Sequence, residues 1–173
     1  HGLWRVLVKA QADLSDLLLG ETLSSIAETK ALLEVCLETG LPIWLSATLD
    51  DDRPVLRSDE CVSDWLSVID AMDPDGRVEA ILFNCTQPEM MADAVVEVRE
   101  HSARRGRLIG VYANAFPKQG RRATSNQTHH KLRDDITPDS YVGFAEQWRS
   151  LGATVIGGCC GVGPDTISAL KTQ

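Results

Sequence analysis

The sequence predicts an α/β protein built as a parallel (β/α) barrel of the TIM type, represented by about five of its eight units. Short apolar runs alternate five times with segments of helical periodicity. Parallel strands need crossover connections of that length, and such crossovers are right-handed. A complete barrel typically needs ~250 residues, so we expect residues 1–173 to form one domain that is part of a barrel.

The predicted strands are short apolar runs bounded by glycine, proline or polar residues. None of them leads into a Gly-x-Gly-x-x-Gly sequence, which argues against a dinucleotide-binding sheet. The predicted strands are, in order, Leu17–Leu19, Pro42–Thr48, Ala80–Asn84, Leu108–Tyr112 and Thr154–Ile156.

The predicted helices are placed by their start signals and by apolar residues three or four positions apart. Trp4–Ala12 resembles the end of a helix, and later helices begin near Ser24 or Ser25, at Pro88, at Thr137–Pro138 and at Pro164. A further helical pattern surrounds Trp65. Residues 117–135, in contrast, form a long polar stretch typical of a functional loop or a disordered one. The expected inward-facing residues are Ile26, Leu33, Cys36, Leu37, Val62, Trp65, Leu66, Ile69, Met72, Met91, Ala94, Val95, Val98, Tyr141, Ala145, Trp148 and Leu151.

Three cysteines follow predicted strands directly. Cys85 comes after the third strand, and Cys159 and Cys160 lie between glycines after the fifth. Because the carboxyl ends of parallel strands meet at one edge of the sheet, we expect the three thiols to lie together. Three thiolates suit a zinc ion (Zn²⁺) that keeps one position for a substrate. The other two, Cys36 and Cys61, lie in helical patterns and fit ordinary packing.

The same residues resemble a known family. Asn84-Cys85-Thr86-Gln87-Pro88 and Gly157-Gly158-Cys159-Cys160-Gly161 resemble the two zinc-binding signatures of the homocysteine S-methyltransferase family, and Leu17–Thr22, Leu41–Ser46 and Ile109–Asn114 resemble other strands of its barrel in the same order. The resemblance covers nearly the whole chain. It implies that Cys85, Cys159 and Cys160 are metal ligands and that the domain is the last five units of a barrel.

The resemblance also implies a reaction, which is methyl transfer to the thiolate of L-homocysteine to form methionine. Methyl donors in the family include S-methylmethionine and S-adenosylmethionine, and the sequence does not select among them. By resemblance, Glu21 holds the substrate ammonium and Asn114 lines the substrate pocket. From the residues alone, Glu21 can equally cap a helix and Asn114 can be a turn residue; Asn84 either orients the Cys85 loop or forms a turn.

Composition narrows the class of protein further. The net charge of −8 argues against a nucleic-acid surface, and no apolar run approaches the ~20 residues that a membrane helix needs. Five cysteines, two of them adjacent, fit metal binding in a reducing, cytoplasmic compartment better than a disulfide framework.

Several alternatives remain open from the sequence. The chain is a fragment, a truncated product, or one part of an oligomer that completes the barrel, and it is either an enzyme or an inactive zinc-binding remnant that serves in interactions. A thiol redox protein using Cys159 and Cys160 is disfavoured, because adjacent cysteines form a strained ring. His129 and His130 are weighed as metal ligands, but their polar surroundings favour exposure.

Overall fold

The computed structural model describes residues 2–118 and 131–171. Its centre is a five-stranded parallel sheet in the order β1-β2-β3-β4-β5. The strands are β1 Leu18–Leu23, β2 Ile43–Ala47, β3 Val78–Asn84, β4 Leu108–Tyr112 and β5 Val155–Ile156. The helices are α1 Gly2–Gln11, α2 Ile26–Leu37, α3 Val62–Met72, α4 Pro88–Arg105, α5 Pro138–Leu151 and α6 Pro164–Lys171, with a 3₁₀ turn at Ala12–Leu14.

The strand order follows the chain order, which distinguishes this sheet from a doubly wound one. A doubly wound sheet reverses direction at a switch point and carries helices on both faces. Here each strand pairs with the next one along the chain, as in a (β/α) barrel. The predicted α/β fold with five parallel strands is therefore confirmed.

Local signals place most helix starts where the sequence predicts them. The side chain of Ser25 accepts a hydrogen bond from the Glu28 amide at the start of α2, and Thr137 does the same for Ser140 at the start of α5. Several boundaries differ from prediction: β1 runs on to Leu23, so Glu21 lies within the strand, β3 begins two residues earlier at Val78, and β5 is only two residues long. The bounds of α1 and β2 differ from prediction by one or two residues. The predicted loop histidines His129 and His130, and most of the 117–135 stretch, lie outside the described residues.

The core lies between the sheet and the helices. Trp65 and Trp148 are fully buried there, and the predicted inner residues of α4 (Met91, Ala94, Val95 and Val98) are all buried. Gly20 is required where β1 packs against α2, because a Cβ at this position would lie 2.3 Å from the Cδ2 atom of Leu32. The outer face of each strand is thus fixed against helices, and the opposite face is left to line the interior of the barrel.

A buried ionic cluster closes the amino ends of β3 and β4. The carboxylate of Asp73, which is fully buried, accepts hydrogen bonds from the backbone amides of Arg77 at 2.7 Å and Val78 at 2.8 Å. The Arg107 guanidinium donates to the Val78 carbonyl at 3.0 Å and to Asp70 at 2.7 Å. His101 contacts the same Asp70 carboxylate at 2.9 Å. This cluster holds the helix-to-strand connections in place.

None of the described helices has the length and apolar character that crossing a membrane would require.

Candidate metal centre

The first cysteine sits on a sharp turn that ends β3. Cys85 has φ +51°, a left-handed conformation that is uncommon for a residue with a side chain. The next residue, Thr86, stabilises the turn, because its hydroxyl donates to the Asn84 carbonyl and accepts from the Leu49 amide. Pro88 then begins α4. Strain of this kind is typical of sites where the backbone is shaped for a ligand.

The second and third cysteines sit on the loop after β5. The Cys159 amide donates to the Ala113 carbonyl at 2.9 Å, and the Cys160 carbonyl accepts from the Ala115 amide at 2.8 Å. The flanking glycines are needed, because a Cβ on Gly158 would lie 2.2 Å from the Val162 side chain and Gly161 has φ +80°. The loop is therefore anchored to the residues that follow β4, and it presents both thiols at the same rim as Cys85.

The predicted convergence of the three thiols is confirmed. The Sγ atoms of Cys85 and Cys160 are 3.6 Å apart, those of Cys159 and Cys160 are 3.8 Å apart, and all three lie within 4.8 Å of one another. With Zn–S bonds of ~2.3 Å, two ligands of a tetrahedral zinc ion are about 3.8 Å apart. These residues therefore fit the donor set and the spacing of a tri-thiolate metal site.

The thiols are free rather than bonded to each other. A disulfide requires an S–S distance of about 2.05 Å, and the distance between the adjacent pair is far larger. Cys61 is exposed, whereas Cys36 is buried, and burial raises the pKa of the Cys36 thiol to about 11. Neither of these two joins the cluster, as predicted, but the packing role predicted for Cys61 is wrong, because this residue is exposed at the start of α3.

The three thiols titrate differently because they share protons. A hydrogen bond from Cys85 lowers the pKa of Cys159 to about 6, and accordingly the pKa of Cys85 is raised by its hydrogen bond with Cys159 and by burial. Burial and the nearby Cys159 charge raise the pKa of Cys160. Within the cluster the thiolate form is therefore favoured at Cys159 over Cys85 and Cys160, and binding of a metal would release protons from the thiols that carry them.

Asn84 connects the cluster to the neighbouring strands. It is fully buried, and its side-chain oxygen accepts from the Ser46 hydroxyl at 2.8 Å and the Thr22 amide at 3.2 Å. Its side-chain nitrogen donates to the Thr22 hydroxyl at 2.8 Å and approaches the Cys159 sulfur at 3.9 Å. The Asn84 side chain thus connects β1, β2 and β3 to Cys159 in the loop after β5.

The two predicted substrate residues lie at the same end of the sheet. Glu21 is an exposed residue of β1. Asn114 is buried beyond β4, where its side-chain oxygen accepts from the Phe116 amide at 3.2 Å and lies 3.5 Å from the Gln87 side-chain nitrogen. The hydrogen bond to Phe116 is the turn role that the sequence left open for Asn114. A role in substrate binding stays a prediction for both.

Sequence reasoning missed two polar residues of this region, Thr22 and Ser46. Thr22 has φ +60°, and Ser46 lies inside a strand that is otherwise apolar. A polar side chain in a buried strand is a signal that could have pointed to Ser46. No local pattern marks Thr22, because its role depends on an asparagine 62 positions away.

Comparisons with known proteins agree with this geometry. Residues 4–173 match the model of the homocysteine S-methyltransferase family. Among curated proteins, the chain is 26% identical to the selenocysteine methyltransferase of Astragalus bisulcatus, over 90% of this chain and 43% of that protein. It is 28% identical to homocysteine S-methyltransferase 3 of Zea mays, over 96% of this chain and 46% of that protein.

A solved structure supports the fold alone. The chain resembles a protein from Bacteroides thetaiotaomicron described as an alpha-L-fucosidase, with a TM-score of 0.55 and 12% identity, over 91% of this chain and 53% of the other. The chain therefore spans about half the length of the proteins it resembles.

Proposed function

Because the chain belongs to the homocysteine S-methyltransferase family, we propose that it acts in zinc-dependent methyl transfer to the thiolate of L-homocysteine, forming methionine. The observation that carries this proposal is the spacing of the Cys85, Cys159 and Cys160 sulfurs, which matches three corners of a zinc tetrahedron. The donor is a methylated compound such as S-methylmethionine or S-adenosylmethionine.

The zinc ion supplies one kind of chemistry when bound: it stabilises a coordinated thiol as a thiolate at neutral pH. Cys85, Cys159 and Cys160 would hold the ion beside the sulfur of the substrate. In the transfer, that sulfur forms a bond to the methyl carbon, and the donor keeps the electron pair of the bond that breaks. The protein's contribution is to position the two reactants in line.

We propose that the substrate's amino-acid end binds to residues of β1 and of the segment that follows β4. Glu21 is an exposed carboxylate on β1, and we propose that it accepts hydrogen bonds from the substrate ammonium. Asn114 lies next to the Cys85 turn, since its amide donates to the Thr86 carbonyl at 3.1 Å. We propose that it lines the same pocket.

Further β/α units are the proposed neighbours of β1. The large apolar side chains that α1, the following turn and β1 leave exposed include Leu14 at 89% and Leu19 at 44%. On β2, the buried indole N–H of Trp44 finds no acceptor among residues 2–118 and 131–171. An open parallel sheet is unusual, since such sheets are normally covered on both faces. We propose that units completing an eight-stranded barrel cover this region.

The ligand assignment is tested by changing Cys159 to Ala, with Cys61→Ala as a matched control outside the cluster. We expect zinc content, measured by mass spectrometry of metals after dialysis, to fall from about one per chain to near zero only in the first variant. Methyl transfer to homocysteine should be lost with the zinc. Retention of one zinc per chain by the Cys159 variant would show that the ligand assignment is wrong.

We propose as a second candidate an inactive zinc-binding protein of the same fold, since the thiol cluster by itself supports metal binding and not turnover. Both candidates bind zinc, so zinc content does not separate them. Turnover does: methionine formation from homocysteine and S-methylmethionine by the zinc-loaded protein supports the enzyme, and its absence in protein that still binds homocysteine supports the inactive protein.

A further inference from the structure

Tyr112, the last residue of β4, has a hydroxyl group near Ser46 and Glu21 that makes no hydrogen bond of normal geometry to the residues that the structure describes. The oxygen atom of this hydroxyl is buried. Buried polar groups in proteins are nearly always hydrogen-bonded, and an exception needs a physical reason. A binding site that awaits a ligand is one such reason.

The register of the sheet places this side chain beside the thiols. Tyr112 is the Cα partner of Asn84 in the β3–β4 pair, so both side chains project from the same face. On that face the Asn84 side chain reaches Cys159, and a Cβ on Gly157 would lie 3.5 Å from the Tyr112 Cβ. The phenol ring therefore occupies the interior face between β3 and the β5 loop.

The charged groups around the Tyr112 hydroxyl also place it beside Glu21 and the thiol cluster. Burial raises the pKa of Tyr112; Ser46 opposes that shift, whereas the carboxylate of Glu21 and the charge of Cys159 add to it. The phenol thus remains a protonated donor at neutral pH, near both the proposed ammonium-binding carboxylate and the thiol cluster. The Ser46 hydroxyl already donates to Asn84 and does not offer its own proton there.

We propose that Tyr112 determines specificity for an α-amino-acid thiol, by donating its hydroxyl to the substrate carboxylate while Glu21 binds the ammonium. This proposal rests on the proposed function and extends it by assigning a residue that binds the substrate carboxylate. A zwitterion needs an acceptor and a donor a few ångströms apart, and the two residues supply one of each. Tyr112 forms no covalent bond in this role.

Three thiols separate the two contacts, because in each of them two methylene groups join the sulfur to the carbon that carries the ammonium, the carboxylate or both. Homocysteine carries both charged groups, 4-mercaptobutanoate lacks the ammonium, and 3-aminopropanethiol lacks the carboxylate. Their dissociation constants are measured by calorimetry on the zinc-loaded 173-residue protein, in the unaltered chain and in the variants Tyr112→Phe and Glu21→Gln. Tyr141→Phe is the matched control, since the Tyr141 hydroxyl is buried and donates to the Gly157 carbonyl at 2.8 Å.

We expect Tyr112→Phe to raise the dissociation constants of homocysteine and 4-mercaptobutanoate on the order of tenfold and to leave that of 3-aminopropanethiol unchanged. Glu21→Gln should weaken the binding of homocysteine and 3-aminopropanethiol and leave that of 4-mercaptobutanoate unchanged. Tyr141→Phe should lower the stability of the protein without changing the relative affinities for the three thiols. Equal weakening of all three thiols by Tyr112→Phe, or no change in any, overturns the proposal. If the unaltered zinc-loaded protein binds none of the three thiols, the proposed function itself is wrong, and the assignment of Tyr112 is then wrong as well.

Discussion

The two ends of β3 and β4 carry polar clusters of opposite design. At the amino ends, Asp73 and Arg107 are buried, and their side chains are used in hydrogen bonds to the backbone and to Asp70. At the carboxyl ends, Cys85 holds a strained turn and the thiols share only weak contacts with each other. In (β/α) barrels the first end generally serves stability and the second serves catalysis.

The difference lies in what each cluster has left to bind. The ionic cluster directs most of its groups to other parts of the chain, so it stabilises the fold without a ligand; among the described residues, only the Nη2 atom of Arg107 and the Nδ1 atom of His101 in this cluster lack a hydrogen-bond partner. The cysteine cluster is preorganised by backbone hydrogen bonds and by Asn84, but its sulfurs keep their capacity for a metal. If this comparison is correct, variants at one end should leave the properties of the other end unchanged.

The largest loss of stability is expected from Asp73→Ala. The change removes a fully buried acceptor and leaves the Arg77 and Val78 amides without it, which should cost about 3 kcal/mol of unfolding free energy. Urea denaturation measures the loss, and Asp75→Ala, an exposed neighbour in the same turn, is the control. Zinc content should stay at that of the unaltered chain; a parallel loss of zinc would show that the two ends are coupled.

Zinc should stabilise the cysteine end by a comparable amount. At free zinc of 100 times its dissociation constant, mass action adds about 2.7 kcal/mol to the unfolding free energy. Thermal unfolding with and without a chelator measures this, and Cys160→Ser should abolish the difference. An equal zinc effect in the Cys160 variant would contradict the comparison, because stabilisation would then come from another site.

Asn84→Asp tests the link between Asn84 and the thiols. The variant keeps an acceptor for Ser46 and the Thr22 amide but loses the N–H that faces Cys159. Loss of a group that orients a ligand typically weakens a metal site 10–100-fold, and we expect about tenfold for zinc. Competition with a chromophoric chelator gives the dissociation constant, and an unchanged value would reduce Asn84 to a structural role.

The smallest effect is the acid sensitivity of the ionic end. The pKa of Asp70 lies below its ordinary value of 3.8, because the Arg107 hydrogen bond and nearby positive charges outweigh the cost of burial. Its contribution is therefore complete above that value and is lost as the pH falls below it. Asp70→Asn should lower unfolding free energy by about 1 kcal/mol at pH 7 and less at pH 3. A loss that is the same at both pH values would show that the charge is not responsible.

Much of this architecture could be read from local patterns. β4 and the starts of α4 and α5 agree with prediction to the residue, because a proline or a capping residue marks each helix start. The cysteine cluster was predictable because parallel strands bring their carboxyl ends together whatever the packing details. Its exact sulfur distances were not, since they depend on the turn at Cys85.

Other features depend on contacts that a sequence pattern does not contain. Asp50 and Asp51 lie in the polar segment after β2, where acidic side chains are usually exposed, yet both are buried. Leu49 and Leu56 form an isolated bridge that folds this segment onto the sheet. Arg107 is equally unmarked, because its burial depends on Asp70 and Asp73, more than thirty positions earlier.

The cysteines stand on β3 and β5, which share no hydrogen bonds because β4 lies between them. An ion held by all three would join two strands that the backbone leaves independent, and would do so where β5 has only two paired residues. Metal binding would then add a cross-link at the carboxyl rim of the sheet, so that removal of the metal should loosen the β5 end of the sheet before the β3 end.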